Sequence, residues 1–166
     1  LRGNLQTRLR KLERGDYDAI VLAKAGLERM GLERDYVPLD GERFVPSANQ
    51  GTIIVVAKKG SKAEFYSRSL DDAPSRTETM IERKILETVG GGCVVPMAVH
   101  ASAKNGQARV LAEVLSLDGK RFVRLDENIS LHEDDPLGRA EDMGQRLMKM
   151  GGRELVDEAV KEFGTR

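Results

Sequence analysis

Two dipeptides, Asn105-Gly106 and Asp118-Gly119, constrain this chain more than anything else in it. Each lies between runs rich in Val, Ala and Leu, and each favours a hairpin turn because such a turn needs positive φ in at least one residue. Together they predict a three-stranded antiparallel meander over about 94–103, 108–117 and 121–129. A helix should precede it. Ser75 followed by Glu78 fits a capping box just after Pro74. Met80, Ile81, Ile85, Leu86 and Val89 then supply an apolar face that Gly90, Gly91 and Gly92 terminate. Two further helices are expected over about 137–150 and 152–163, parted by Gly151-Gly152. Residues 71–166 therefore read as an α+β domain, a three-stranded antiparallel sheet with helices packed on one face.

The first seventy residues read differently, as an α/β fragment. Leu5, Leu9 and Leu12 recur at helical spacing, and Gly15-Asp16 breaks the run. The apolar stretches Ala19–Ala23 and Thr52–Ala57 are expected to be buried strands, the second because it is rich in β-branched residues. Ala25 to Met30 should form a short helix that Gly31 ends. Residues 32–51 carry Pro38, Gly41, Pro46 and Gly51 and should be loop.

Composition excludes several functions. Lys and Arg number 27, as do Asp and Glu, so the chain lacks the basic excess of a non-specific nucleic-acid binder. No apolar run approaches the roughly 18 residues of a membrane helix. A single Cys forbids an internal disulfide and makes the cytoplasm the expected location. His100 and His132 lie far apart without Cys partners, so no metal site is expected. Neither a Walker-type phosphate loop nor a dinucleotide fingerprint occurs. What remains is a basic cluster of Arg2, Arg8, Arg10 and Lys11, a mid-helix Arg83, an Asn49-Gln50-Gly51 turn and Cys93 behind three glycines. Guanidinium groups suit carboxylate or phosphate binding, although a solvated helix face explains them as well. Cys93 could be a nucleophile, a covalent anchor or a small buried hydrophobe.

The order and spacing of these features resemble the porphobilinogen deaminase (hydroxymethylbilane synthase) family. The family's R-G-N-x-x-T-R-L-x-K-L stretch runs from Arg2 to Leu12. Its A-G-L-x-R follows as Ala25, Gly26, Leu27 and Arg29. A P-A-x-G-Q-G-like segment spans Pro46 to Gly51, with Asn49 where the first glycine would stand. An E-R pair, Glu82 and Arg83, precedes G-G-C and V-P at Gly91–Cys93 and Val95-Pro96. The resemblance implies stepwise condensation of porphobilinogen into hydroxymethylbilane on a dipyrromethane cofactor, joined by a thioether to Cys93. It implies that Arg2, Arg8 and Arg83 contact the cofactor, and that Arg29, Gln50 and Gly51 contact porphobilinogen or the growing oligopyrrole chain. It further implies that 1–48 is the later half of a second, binding-protein-like domain. On the same basis 49–70 returns toward a first domain, and 71–166 is the C-terminal domain.

The resemblance places the family's catalytic aspartate upstream of this chain, so no catalytic residue is assigned here. The chain opens on Leu1 rather than Met, and loss of an N-terminal portion is expected, with the isolated chain inactive. The Thr52–Ser69 segment would then lack its packing partner, and self-association is expected. One rival is a non-catalytic binding protein for a carboxylated or phosphorylated small molecule. Another is a nucleic-acid module on residues 1–14, which balanced charge and scarce aromatics oppose.

Overall fold

In the computed structural model, which describes residues 1–132 and 135–164, the chain forms two compact units, Leu1–Leu39 and Asp40–Arg166. The first is built on two helices. In α1 (Leu5–Glu13) the Asn4 side chain accepts the Thr7 N–H at 2.9 Å, an ordinary N-cap. Leu5, Leu9 and Leu12 are half-buried along its inner side. Helix α2 (Lys24–Arg29) is a short one, closed where the Leu32 N–H reaches the Leu27 carbonyl at 3.0 Å past the left-handed Gly31. Leu27 is the one buried hydrophobic residue of this unit.

The second unit begins with two turns, at 41–43 and 48–51, and a short helix, α3 (Lys62–Ser67). Helix α4 (Ala73–Val89) is capped three residues before the expected position. Asp72, not Ser75, caps it by accepting the Ser75 N–H at 2.9 Å, and Pro74 sits in the first turn, where a missing N–H costs nothing. Ile81, Ile85 and Val89 are buried as expected, whereas Met80 is exposed.

The meander forms as read, with β1 (Met97–Lys104), β2 (Gln107–Leu115) and β3 (Phe122–Ser130) in the order β1-β2-β3, both pairs antiparallel. The first turn is the tight one. Asn105 and Gly106 both have positive φ, 52° and 75°. The second connection is longer than its Asp-Gly signature suggests. Only Gly119 is left-handed there, Ser116 N–H donates to the Arg121 carbonyl, and the Asp118 carboxylate accepts the Ser116 hydroxyl and the Lys120 N–H. Those hydrogen bonds hold the Asp118 carboxyl below its ordinary range, the Ser116 hydroxyl contributing most.

One sheet face makes the core. Ala108, Val110, Ala112 and Val114 alternate along β2, flanked by Val99 and Ala101 on β1 and Ile129 on β3. Against them pack α4, α5 (Pro136–Leu147) and α6 (Arg153–Phe163), the last two separated by a π-helical turn, Met148–Gly152, kinked at Gly151. The opposite face is charged. Arg109 grips Asp126 on the neighbouring strand through two hydrogen bonds of 3.0 and 2.8 Å and reaches the Glu42 carboxylate at 2.7 Å. Arg124 donates to the Glu42 carbonyl at 2.6 Å. Residues near Glu42 thus form a strap tied to this face.

Two expected strands are absent. Ala19–Ala23 and Thr52–Ala57 are extended but join no ladder among the described residues. β-branched composition favours an extended backbone, yet a strand also needs a neighbour to satisfy its N–H and C=O groups. In the second segment Ile53, Ile54 and Val56 are each at least 74% exposed.

Candidate functional site

Cys93 is set by the loop before it. Gly90, Gly91 and Gly92 all have positive φ, so the chain leaves α4 through three consecutive left-handed residues that side chains rarely tolerate. Gly91 is also tightly packed. A Cβ there would stand 2.2 Å from Val95 Cγ2. Around Gly90 and Gly92 the space is open to at least 4 Å. The cysteine follows in a short turn, Gly92–Val94, with its thiol exposed, and buried Val95 anchors the chain as it enters β1. The bland alternative, a small buried hydrophobe, is therefore excluded for Cys93.

The Asn49-Gln50-Gly51 turn belongs to the same unit. Asn49 has φ of 63° and Gly51 of 86°, so the position at which Asn replaces a glycine of the family pattern does require a left-handed residue. Asn is the usual substitute because its side chain tolerates that conformation. The Ser47 hydroxyl lies 3.2 Å from Gln50 Oε1, and Gln50 and Gly51 are exposed. Arg83 lies on the exposed side of α4 and pairs with Glu87 one turn on at 2.8 Å.

Arg2, Arg8 and Arg29 belong to the Leu1–Leu39 unit. Arg8 Nε donates to the Gly3 carbonyl at 2.8 Å, which folds the N-terminal residues against α1. Lys11 Nζ lies 3.5 Å from the Arg2 carbonyl on the same side. Arg2 is exposed, and Arg29 is exposed in the last turn of α2. The motif from Arg2 to Leu12 is thus one small structure in which the basic groups share a helix and its N-terminal hook.

Two glutamates, Glu78 and Glu82, make contacts that the sequence reading did not assign to them. Glu78 does not complete a capping box. Its Oε1 accepts the Ala103 N–H at 2.7 Å. Glu82, only 5% exposed, accepts the Ala101 N–H through Oε1 at 2.8 Å and the Asn49 N–H through Oε2 at 2.6 Å. The signal was present, since Glu82 is flanked by Ile81 and Ile85 on an apolar helix face, where a carboxylate needs strong partners. Among the described residues no group of three or more His, Cys, Asp or Glu could hold a metal ion. No described helix is long and apolar enough to cross a membrane.

Together these elements define a sheet-and-helix domain that presents a thiol on a glycine loop, preceded by a small helical unit rich in arginine. Residues 1–65 match the family model described as porphobilinogen deaminase, dipyromethane cofactor binding domain, and residues 76–150 match porphobilinogen deaminase, C-terminal domain. A probable porphobilinogen deaminase of Methanosarcina mazei is 47% identical over 165 residues, 98% of this chain and 52% of that protein. Counterparts of the same name are 42% identical over 151 residues in Archaeoglobus fulgidus, covering 90% of this chain and 50% of that protein, and 46% identical over 122 residues in Aeropyrum pernix, covering 73% and 40%. The chain belongs to the porphobilinogen deaminase family, and it spans about half the length of the curated relatives it matches.

Proposed function

We propose that this chain is one part of a transferase that joins porphobilinogen units head to tail into hydroxymethylbilane, with dipyrromethane held covalently by the Cys93 sulfur. The observation that carries the reading is the exposed thiol at the end of a left-handed glycine loop with open space at Gly90 and Gly92. A covalently held group as large as two pyrrole rings needs an anchor whose flanking backbone carries no side chains, and this loop fits it. When bound, such a group would supply the primer that keeps the growing chain attached to the protein.

Pyrrole acetate and propionate groups are carboxylates, which planar guanidinium groups clamp at every working pH. Arg2, Arg8 and Arg83 are assigned to the cofactor, and Arg29, Gln50 and Gly51 to substrate or the growing chain. Arg8 already donates Nε to Gly3, which fixes the guanidinium plane and leaves the terminal nitrogens for a ligand. Arg83 would exchange its exposed Glu87 partner, a pair worth little in water, for a ligand carboxylate.

The proposed domain assignment is 1–48 as the later half of a second domain, 49–70 as a segment returning to a first domain, and 71–166 as the C-terminal domain. The unpaired, exposed Thr52–Ala57 run supports a missing partner for that segment. On this reading the working protein is cytoplasmic, needs a further N-terminal portion carrying the acid–base aspartate, and the 166-residue chain alone is inactive.

The test combines the chain with the complementary N-terminal half of a relative, supplies porphobilinogen, and measures intact mass with peptide mapping. One adduct of dipyrromethane mass on the Cys93 peptide, absent in Cys93→Ser, is expected together with turnover. An adduct that survives Cys93→Ser would overturn the anchor, and full turnover by the chain alone would overturn the incompleteness.

A further inference from the structure

We infer that Glu82 is the positioning residue for the Asn49–Gly51 turn, and that it holds this turn in register with the strand that leaves Cys93. The inference rests on the reading above that Gln50 and Gly51 face substrate.

A carboxylate on the core side of a helix is costly unless its oxygens are hydrogen-bonded. Glu82 meets that need with two backbone N–H groups from separate parts of the chain, Ala101 on Oε1 and Asn49 on Oε2. The two oxygens thereby bridge helix α4 to the free edge of β1 on one side and to the turn on the other. A second link runs alongside, where the Val99 N–H donates to the Pro46 carbonyl at 3.0 Å. Glu78 performs a similar task one helical turn earlier, but it binds Ala103 and not the turn. The spacing explains the match. Residues four apart on α4 rise about 6 Å and residues two apart on β1 about 6.8 Å, so two carboxylates can serve two successive outward N–H groups.

Asn49 sits in a left-handed conformation next to the exposed Gln50 and Gly51, and no strand or helix encloses the three residues. A turn of that kind keeps its place through its anchors. Of the hydrogen bonds the turn makes, the one from Asn49 to Glu82 is the one that ties it to the buried face of α4. Arg83 follows Glu82 on the exposed side of the same helix, so one helical turn carries both the anchor of the turn and a carboxylate-binding guanidinium.

Glu82→Gln separates positioning from folding. Glutamine keeps the size but offers a single acceptor oxygen, so one of the two N–H groups must face an NH2 group. The experiment uses the isotope-labelled 166-residue chain, with Glu78→Gln as the control, and follows amide exchange, amide chemical shifts and thermal melting. The Asn49 amide is expected to exchange at least about tenfold faster in Glu82→Gln, with shifts at Gln50 and Gly51, while the amides of Val110 and Ala112 stay protected. Glu78→Gln should leave 49–51 unmoved. Unchanged exchange at Asn49, or uniform loosening of all three strands in Glu82→Gln, would overturn the proposal. The wild type alone supplies a check that needs no variant. Its Asn49 amide should exchange at least about tenfold more slowly than that of Gly51, and equal rates would overturn the proposal even if Glu82→Gln failed to fold.

Porphobilinogen titration links the turn to substrate. Shifts at Gln50 and Gly51 that occur in the wild type and weaken in Glu82→Gln support the inference, and equal shifts in both overturn it. No shift in the wild type would remove the substrate reading of Gln50 and Gly51, and the exchange rates would then decide the anchoring role by themselves.

Discussion

The Leu1–Leu39 unit and the meander with its helices carry similar helical periodicity, yet their interiors differ. Every residue of the buried core cluster lies between Ile81 and Ala159, and Leu27 is the only buried hydrophobic residue before Asp40. In α4, α5 and α6 the apolar stripes meet a sheet face. Leu5, Leu9 and Leu12 make a comparable stripe on α1, but they reach only partial burial. An amphipathic pattern states which side of a helix seeks cover, and the amount of cover depends on the layer opposite. The contrast also separates function. The proposed anchor lies on the unit that holds the buried core, and three of the proposed carboxylate-binding arginines lie on the thinly packed one.

The sharpest way to break this comparison is a pair of core truncations. Ile85→Ala, at a fully buried site, should cost about 2–5 kcal/mol, whereas Leu9→Ala should cost less than about 1 kcal/mol in chemical denaturation. Equal losses would show that the first unit holds more of the folding energy than its burial indicates.

Acid titration should sharpen it further, with effects concentrated in the second unit. Arg109 holds the Asp126 carboxyl low, the Ser116 hydroxyl does the same for Asp118, and Ser75 hydrogen bonds do so for Asp72. A carboxyl lowered in the folded state binds fewer protons there than when unfolded. Its stabilisation is therefore present above the unfolded value, about 3.9, and is lost as pH falls through the lower folded value. Glu113 has the opposite sign. Burial raises it, with Arg124 opposing, so its contribution favours folding in acid and fades as pH rises through its folded value. The net expectation is a fall in melting temperature below about pH 4, made shallower in Asp126→Asn, and an unchanged slope in that variant would count against the Arg109 pairing.

The smallest effect is expected at the unpaired segment. Ile54→Lys should change stability by no more than about 0.5 kcal/mol, because Ile54 is 75% exposed, while it should reduce any self-association seen by sedimentation. A large loss of stability would mean that Thr52–Ala57 is packed in solution.

Much of the fold was legible. The meander, its strand order, the stop of α4 at Gly90 and the break at Gly151-Gly152 follow from turn chemistry and periodicity, which act over a few residues. The cap of α4 was misplaced because Asp72 and Ser75 are both good caps, and only the backbone path selects between them. The candidate site was legible as residue types. Cys93, Arg83 and the Asn49 turn could be named from the chain, but not the two hydrogen bonds by which Glu82 joins regions 33 and 19 residues away.

The order of residues along the chain is enough to state where it turns, which of its faces are apolar, and the family to which it belongs. These follow from local sterics and from motifs written in order along the chain. Only the tertiary structure decided which extended stretches become strands, how far the cysteine is exposed, and that a buried glutamate bridges a turn to a sheet edge. Each of those depends on a partner distant in sequence, and a strand edge, an exposed thiol or a buried carboxylate has no identity until its neighbours are in place.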